Sequence, residues 1–369
     1  MMRLFLAPED VWLFRDGRPF DAASSHRARS LFPPYPSVLQ GVIRSHQLIM
    51  KKVDLRDKAE IIKEVATPEP YGTLEMRGPF VARFKDGKLT RHFPRPADWF
   101  PVKGDEEKIK ALFPENRNGV VTSADEKQLP NLLFPPVDFK PGKKEWGEWL
   151  TYEDLQIYLH GGAVTPVTSD ELFLRESRVG IQIKAGSRAV EQGMLYEAEF
   201  IRPCDDVGLY LEVDGEGYEV KDESHDGWLP TGMIKIGGES HAARYQQLQD
   251  DQINEKGELI EWWSTLPETV RGRFKVYFAS PAYFEQGWKP SIWTRFFSDD
   301  VKLVAVAISG YDTRGGFDYA SHGDKPSRRY VPAGSVYYFD TEGKDVNIKY
   351  PFTEDMRQIG FGQVMIVTQ

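Results

Sequence analysis

The C-terminal stretch constrains the fold more than any other part of the chain. It joins a β-branched and aromatic segment, 336–339, to a nearly continuous apolar run, 363–367. Both patterns are typical of strands, and the second indicates a buried strand. Between them, Gly360 and Gly362 flank Phe361. Glycines in this arrangement let the backbone turn with positive φ and let another chain approach closely. We therefore predict a glycine turn that leads into a C-terminal strand.

Length and composition indicate a globular protein with a large core. The chain has 369 residues, of which 40% are hydrophobic, and this length favours two domains or one domain with large insertions. The single cysteine, Cys204, excludes a disulfide framework and a thiolate zinc site, and it suits a reducing cytosol. Since no run of eighteen apolar residues and no apolar leader occurs, we expect a cytoplasmic protein that is neither secreted nor membrane-spanning.

The charge of the chain is unevenly distributed. The net charge of −9 argues against bulk, non-specific binding of nucleic acid. Residues 203–227 carry nine acidic side chains and one basic one, whereas residues 12–52 carry seven Arg or Lys against two Asp. One interpretation is a set of solvated loops. The other is a local basic face whose acidic surroundings face a protein partner.

Local patterns predict an α+β fold with antiparallel sheets. Ser37 is a good N-cap for a helix with apolar residues at helical spacing, and Thr151 begins a second capped helix. Asp86 and Gly87 predict a hairpin turn. Strands and helices interleave irregularly with short connections, which favours antiparallel over doubly wound parallel sheets. We place a large, Pro-rich insertion at about 67–150 and a domain boundary near residue 195.

Sequence motifs for cofactor, metal or hydrolase sites are missing. No phosphate-cradling glycine loop, dinucleotide fingerprint, zinc-protease helix or nucleophile elbow occurs. The seven histidines are scattered along the chain, whereas metal ligands usually include two close together on one element. We therefore expect no cofactor and no metal.

Basic residues next to glycines form the most suggestive pattern. A guanidinium grips phosphate through paired hydrogen bonds, and a neighbouring glycine lets backbone amides contribute. Single-stranded RNA is often held in this way. For any one arginine, pairing within the protein or solvation remains the alternative. The candidate RNA-binding residues are Arg15, Arg18, Gln40, Arg44, Arg175, Arg178, Lys184, Arg244, Arg314, Gly360, Phe361 and Gly362.

Eight short blocks, in chain order, resemble the RAMP superfamily of CRISPR systems. The closing glycine loop and strand, 359–367, carry the superfamily resemblance. More narrowly, the chain resembles the family of third subunits of the Cmr complex, the type III-B CRISPR effector. Residues 67–150 match no block of that family. The matching blocks are LFRDGRPF (13–20), PSVLQGVIR (36–44), ESRVGI (176–181), GMLY (193–196), GGE (237–239), SPA (280–282), GW (287–288) and VPAGSVYY (331–338).

The resemblance implies a fold, a function and a set of partners. It implies two ferredoxin-like, RRM-like βαββαβ domains, which we place at 1–195, including the insertion, and at 196–369. It implies a non-catalytic subunit of a ribonucleoprotein for antiviral defence that holds the 5′ repeat-derived tag of the CRISPR RNA (crRNA). The implied protein partners are the large polymerase-like subunit and the backbone subunit that coats the crRNA.

Two other functions remain as alternatives. RAMP endoribonucleases that process precursor RNA generally use a histidine as general base, and none of the matching blocks contains one. His26, in an arginine-rich loop, is the candidate base if this chain is a metal-independent endoribonuclease. The nine tryptophans and many carboxylates also suit a carbohydrate-binding or hydrolytic module, which would require an aromatic groove lined by two close carboxylates.

Overall fold

A computed structural model shows mainly antiparallel sheets and few helices. None of its helices in the described residues has the length and hydropathy needed to cross a membrane. The structure describes residues 1–15, 27–67, 70–102, 104–116, 129, 131–135, 147–183, 190–219, 228–249, 252, 266–318 and 323–369.

The described chain forms twenty strands and three α-helices, with three short 3-10 turns between them. In chain order they are β1 Met2–Pro8, β2 Arg27–Ala28, α1 Pro36–Met50, α2 Lys58–Val65, β3 Glu75–Lys85, β4 Lys88–Pro94, β5 Trp99–Val102, β6 Asp105–Ala111, β7 Pro114–Glu115, β8 Leu132–Leu133, β9 Trp149–Thr151, α3 Tyr152–Leu159, β10 Phe173–Ile183, β11 Val190–Pro203, β12 Val207–Asp214, β13 Thr231–Lys235, β14 Ala242–Gln247, β15 Thr269–Phe278, β16 Lys302–Ala307, β17 Asp312–Asp318, β18 Gly323–Tyr330, β19 Val336–Asn347 and β20 Val364–Thr368.

These elements belong to two compact units whose segments alternate along the chain. Unit 1 contains Met1–Leu89, Asp170–Gln252 and Thr313–Arg328, and unit 2 contains the remaining three segments, Thr90–Ser169, Ile253–Asp312 and Arg329–Gln369. Residue 195 lies inside strand β11. The folding domains expected at 1–195 and 196–369 stay a prediction, and so does their ferredoxin-like duplication.

Unit 1 is built on strands that pair in the order β13–β14–β1–β12–β3, all antiparallel. Helix α1 contributes Leu39 and Ile43 to the core, where they meet Leu4, Leu209 and Trp228, all fully buried. Strands β10 and β11 form a long antiparallel hairpin, and the short strand β2 adds to β11 in parallel. The candidate RNA-binding residues Arg175 and Arg178 lie on this hairpin, and Arg15 lies on a segment that pairs with Ser30 beside β2.

Unit 2 is centred on an antiparallel sheet with the strand order β16–β19–β15–β20. Its core is strongly aromatic because Phe274, Phe297, Phe339 and Phe352 pack together with ring centroids 5.3 to 5.8 Å apart. The two strands predicted at the C-terminus are confirmed as β19 and β20. The α+β class with antiparallel sheets is confirmed in this general form.

Helix α1 begins differently from the prediction. Tyr35 occupies the N-cap position without a side-chain hydrogen bond, and Pro36 follows as the first helical residue. Proline suits that position because its missing N–H would have no partner within the helix. The predicted capped helix after Thr151 is confirmed: Thr151 Oγ1 accepts from the Asp154 amide at 3.1 Å. The predicted turn at Asp86–Gly87 is also confirmed, since both residues have positive φ.

The buried face of α1 also departs from the apolar pattern. Val38 and Ile49 are 37% and 58% exposed, whereas Gln40 and Gln47 are buried. Gln47 is satisfied in the core because its Oε1 accepts from Trp228 Nε1 at 2.9 Å. The buried face of α1 therefore includes two polar residues that the apolar periodicity assigns to the solvent side, Gln40 and Gln47. For Gln47, a hydrogen bond to another segment makes this burial possible.

Candidate nucleic-acid interface

Three arginines from distant segments lie at Ser30 in unit 1. Arg15 forms an antiparallel bridge with Ser30, and the two segments are fastened further because the Phe14 amide donates to Ser30 Oγ at 2.8 Å. From the β10–β11 hairpin, Arg175 Nη1 donates to the Ser30 carbonyl at 2.9 Å. Arg29 precedes Ser30 and is exposed. We call Arg15, Arg29, Ser30 and Arg175 the Ser30 patch.

Arg175 is only partly available to a ligand. Its Nη1 also lies 2.7 Å from Glu199 Oε1, and its side chain remains 47% exposed. Glu199 is diagonally across the hairpin, opposite Ser177, whereas Arg175 is opposite Ile201. The ion pair holds the guanidinium at a fixed place beside Ser30. The exposed remainder of a planar guanidinium can still offer N–H groups to a phosphate.

Arg178 lies on the opposite face of the hairpin from Arg175. Successive strand residues alternate between faces, so positions three apart point in opposite directions. Arg178 Nε bonds Glu176 Oε1 at 2.7 Å, and its Cζ lies 4.8 Å from the centroid of the Phe200 ring. The two arginines are three residues apart in the sequence, and the structure places them on different faces of the hairpin.

Arg178 belongs to a charge-balanced network that we call the ion ladder: Asp10, Glu176, Arg178 and Arg202. Arg202 bridges the two acids, with Nη1 3.0 Å from Asp10 and Nη2 2.7 Å from Glu176. The hydrogen bond from Arg202 lowers the pKa of Asp10, and the hydrogen bond from Arg178 lowers the pKa of Glu176. Two acids and two bases cancel, so a phosphate would have to compete with carboxylates for these guanidiniums.

Gln40 and Arg44 fasten helix α1 to helix α2. Arg44 Nη2 donates to the Val65 carbonyl, at the end of α2, at 2.6 Å. With its amide oriented to face Arg44, the Gln40 oxygen accepts from Arg44 Nη1 at 2.6 Å. Gln40 is 6% exposed. Both residues therefore have a structural role, and RNA contact by either stays a prediction.

The other basic candidates lie at separate places in unit 1. Arg244, on β14, is 67% exposed and pairs with Glu9 at 3.1 Å. The guanidinium carbon of Arg314, on β17, lies 4.4 Å from the centroid of the Tyr35 ring, at the start of α1. Arg18 and Lys184 lie outside the described residues, as does His26.

The glycine turn near the C-terminus has the predicted positive φ angles, but it packs against other segments of unit 2. Gly360 and Gly362 have φ of 95° and 66°, and Phe361 between them is fully buried. A Cβ on Gly362 would lie 2.5 Å from the carbonyl carbon and oxygen of Phe352, and the Gly362 amide donates to the Pro281 carbonyl at 2.8 Å. The close approach is therefore made by other segments of unit 2. RNA contact by this turn stays a prediction.

The sequence did not identify the carboxylates that hold these arginines. Asp10 and Glu199 are 192 and 24 residues from the arginines they bind, Arg202 and Arg175, so no local motif connects them. Alternation along β10 could have placed Glu176 and Arg178 on one face. The described residues contain no group of three or more His, Cys, Asp or Glu side chains able to hold a metal ion.

Comparisons with known proteins identify the family. The family model described as CRISPR-associated protein (Cas_Cmr3) matches residues 4–369. No curated protein gives a sequence match to this chain. Among solved structures, a chain of the Type III-B Cmr-β complex bound to cognate target RNA and AMPPnP is 16% identical, with 91% of this chain and 86% of that chain covered and a TM-score of 0.47.

Two further solved structures are similar at the same distant level. A second Cmr-β structure with cognate target RNA gives 16% identity, coverage of 92% of this chain and 86% of that chain, and a TM-score of 0.46. The Csm3–Csm4 subcomplex of the type III-A interference complex gives 10% identity, coverage of 99% of both chains and a TM-score of 0.35. At these TM-scores the structural similarity supports no conclusion about family or function, so the family assignment depends on the family model alone. Since that model spans nearly the whole chain, the protein belongs to the CRISPR-associated Cas_Cmr3 family.

Proposed function

We propose that this protein is a non-catalytic RNA-binding and scaffold subunit of a type III-B CRISPR effector complex, where it holds the 5′ repeat-derived tag of the crRNA. Family membership supports the class of complex. The structural observation that carries the RNA-binding role is the Ser30 patch, where arginines from three chain segments lie at or next to one backbone position and the Arg175 guanidinium donates to the Ser30 carbonyl. A local basic site of this kind suits a protein of net charge −9, because binding of one RNA segment needs local rather than overall positive charge.

The proposed protein partners are the large polymerase-like subunit and the backbone subunit that coats the crRNA. Acidic side chains pair with arginines of unit 1, and two of them, Glu9 and Asp10, are exposed, at 39% and 54%. Such residues oppose RNA phosphates and favour basic protein surfaces. We further propose that the chain forms two ferredoxin-like domains and is located in the cytoplasm, as the family resemblance implies.

The salt dependence of RNA binding tests the Ser30 patch. Arg15→Ala and Arg29→Ala should each weaken binding of a labelled tag RNA and reduce the slope of log affinity against log salt by about 0.7 to 1 for each arginine–phosphate ion pair that the substitution removes. Binding is measured by fluorescence anisotropy over a KCl series. Arg56→Ala is the matched control, because Arg56 is also in unit 1, is 91% exposed and pairs with Asp54. Slopes for the patch variants equal to that of the wild type would remove the Ser30 patch from the RNA site.

Crosslinking in the assembled complex gives an independent test of location. Ultraviolet crosslinking of the reconstituted effector should attach the tag to segments around Arg15, Arg44 or Arg175, the residues proposed from the sequence. Crosslinks confined to other segments would make the site assignment wrong while leaving the class of complex unchanged.

The absence of catalysis is tested directly. Purified protein incubated with repeat RNA in the presence of a chelator should leave the RNA intact. Specific cleavage that His26→Ala abolishes would replace the scaffold proposal with a metal-independent endoribonuclease, in which His26 acts as general base.

A further inference from the structure

A buried aspartate in unit 2 is bonded to two tyrosines. Asp98 lies between β4 and β5 and is 1% exposed. Tyr158, on α3, places its hydroxyl 2.9 Å from Asp98 Oδ1. Tyr338, on β19, places its hydroxyl against the other carboxyl oxygen, Oδ2. Asp98 therefore connects a helix and a central strand through its two oxygens.

Tyr338 faces a second oxygen besides Asp98. Its hydroxyl lies 2.8 Å from the carbonyl oxygen of Leu112, and the Leu112 amide donates back to the Asp98 carbonyl at 2.7 Å. A phenol has one proton to donate. If Asp98 were ionised, Tyr338 would face two oxygens without protons and could satisfy only one of them. The other would be a buried acceptor that lacks the Tyr338 proton, and an unsatisfied buried acceptor is unfavourable, most of all when it is charged.

We propose that Asp98 is a neutral carboxylic acid in the folded protein and that its proton completes a clasp between β19 and the segment that ends β6. The proton is on Oδ2 and is donated to the Tyr338 oxygen. Tyr338 then donates its own proton to the Leu112 carbonyl, while Tyr158 donates to Oδ1. In this arrangement every oxygen of the cluster has a proton partner. No other assignment of one proton per hydroxyl satisfies both neighbours of Tyr338.

The described surroundings of Asp98 do not supply a direct counter-ion. Lys275, on β15, is 2% exposed, yet within the described residues it makes no ion pair with Asp98 at or below 4.0 Å. Its Nζ lies 5.8 Å from the centroid of the Tyr158 ring. Arg95 stacks on Trp99, with its Cζ 3.9 Å from the ring centroid. The hydroxyl of Tyr277, also on β15, donates to the Pro94 carbonyl at 2.6 Å.

Burial shifts the pKa of each of these groups in the direction that favours its uncharged form. It raises the pKa of Asp98, against smaller opposing effects of the Lys275 charge and of hydrogen bonds from Tyr338, Tyr158 and the Asp98 amide. It lowers the pKa of both Lys275 and Arg95. It also raises the pKa of Tyr158 and Tyr338, so both phenols keep their protons. A dry site favours the neutral forms of Asp98 and of the two phenols, whereas the Arg95 guanidinium keeps its proton.

The clasp makes the stability of unit 2 dependent on pH. A carboxyl whose pKa is higher in the folded than in the unfolded chain stabilises the fold fully below its unfolded pKa of about 3.9. That stabilisation is lost as pH rises through the folded pKa. Loss of the proton leaves one of two acceptors, the Leu112 carbonyl or Asp98 Oδ2, without the Tyr338 proton. The clasp is therefore closed in acid and opens toward alkaline pH.

Infrared spectroscopy of the wild-type protein tests the proton itself. The full chain is prepared with natural and with ¹³C-carboxyl aspartate, and the two spectra are subtracted at pH 7. Exposed aspartates are ionised at this pH, so a C=O stretching band of a protonated acid that shifts with the isotope supports the proposal. A difference spectrum that contains only carboxylate bands would overturn it.

Substitution at Asp98 tests the clasp. Asparagine copies the acid, because its NH₂ can donate to Tyr338 while its oxygen accepts from Tyr158. Asp98→Asn should therefore give a urea midpoint of the full chain close to that of the wild type at pH 4.5 and exceed the wild type by a growing margin as pH rises, because only the wild type must take up a proton at residue 98 on folding. Asp345→Asn is the matched control, since Asp345 is 67% exposed and pairs only with Arg271 in the described structure, and it should not reproduce this trend. A lower midpoint for Asp98→Asn at every pH, or failure of that variant to fold, would contradict the proposal.

Discussion

Replacing Gly362 with alanine measures how tightly the C-terminal turn is packed. The residue has a φ of 66°, a conformation that costs a non-glycine residue about 1–2 kcal/mol. The new methyl group would lie 2.5 Å from the Phe352 carbonyl carbon and oxygen and 2.8 Å from Thr353 Cβ. Main-chain atoms cannot rotate away, so overpacking adds about 1–3 kcal/mol. We expect Gly362→Ala to reduce the free energy of unfolding of unit 2 by about 2–5 kcal/mol.

A second glycine separates backbone strain from the steric clash. Gly343, in the middle of β19, also has positive φ, 84°, and a Cβ there would meet no atom within 4 Å. Gly343→Ala should therefore show the strain of about 1–2 kcal/mol alone. The difference between the two variants is the contribution of the close approach at Phe352.

Thermal unfolding of the full chain, followed by the aromatic near-ultraviolet circular dichroism of the unit 2 core, provides the assay. Unit 2 has about 180 residues, a size at which 1 kcal/mol shifts Tm by about 2–4 °C. Gly362→Ala should therefore unfold roughly 2–12 °C below Gly343→Ala. Equal Tm values for the two variants would refute the reasoning, because the turn would then relax around the methyl group.

Three further perturbations act on unit 1 and on α3. Burial between the Trp228 and Tyr245 rings, 4.5 and 5.4 Å away, lowers the pKa of His46; stability should therefore fall as pH drops below the unfolded value of about 6.5, and His46→Phe should flatten urea midpoints measured between pH 7.5 and 5.5. Arg44→Met removes the hydrogen bond to the end of α2 and should reduce the free energy of unfolding by about 1–3 kcal/mol; an unchanged Tm would show that this bond is dispensable. Thr151→Ala removes the α3 cap and should reduce the free energy of unfolding by about 0.5–2 kcal/mol, visible as a lower Tm, whereas Thr165→Ala, at an exposed position outside the helix, should leave Tm near that of the wild type.

Local chemistry predicted the strands, the turns and one helix cap correctly. The β-branched and aromatic run at β19, the positive φ at Asp86–Gly87 and the cap at Thr151 are all properties of a few consecutive residues. The buried face of α1 was predicted less well. Gln47 enters the core there because its partner, Trp228, is distant in sequence and close only in the folded chain. Gln40 accepts from Arg44, one turn along the same helix.

The candidate site was harder to predict because charge pairing is non-local. The sequence showed arginines beside glycines, but it could not show that Glu199 holds Arg175 or that Asp10 joins the ion ladder. Strand alternation, which a sequence does reveal, separates Arg175 from Arg178 once β10 is known to be continuous. The buried acid at Asp98 had no sequence signal either, because Tyr158 and Tyr338 are 60 and 240 residues away.

The Ser30 patch has a thermodynamic consequence for an RNA that bridges it. Arg15, Ser30 and Arg175 come from chain segments that are brought together only by folding, so such a ligand binds the native state and not the unfolded chain. Mass action then adds RT ln(1 + [L]/Kd) to the stability of unit 1, about 2.7 kcal/mol at a ligand concentration one hundred times Kd. Tag RNA would thus act as a folding ligand for unit 1, and a peptide spanning residues 12–52 alone would lack the site despite its excess of basic residues.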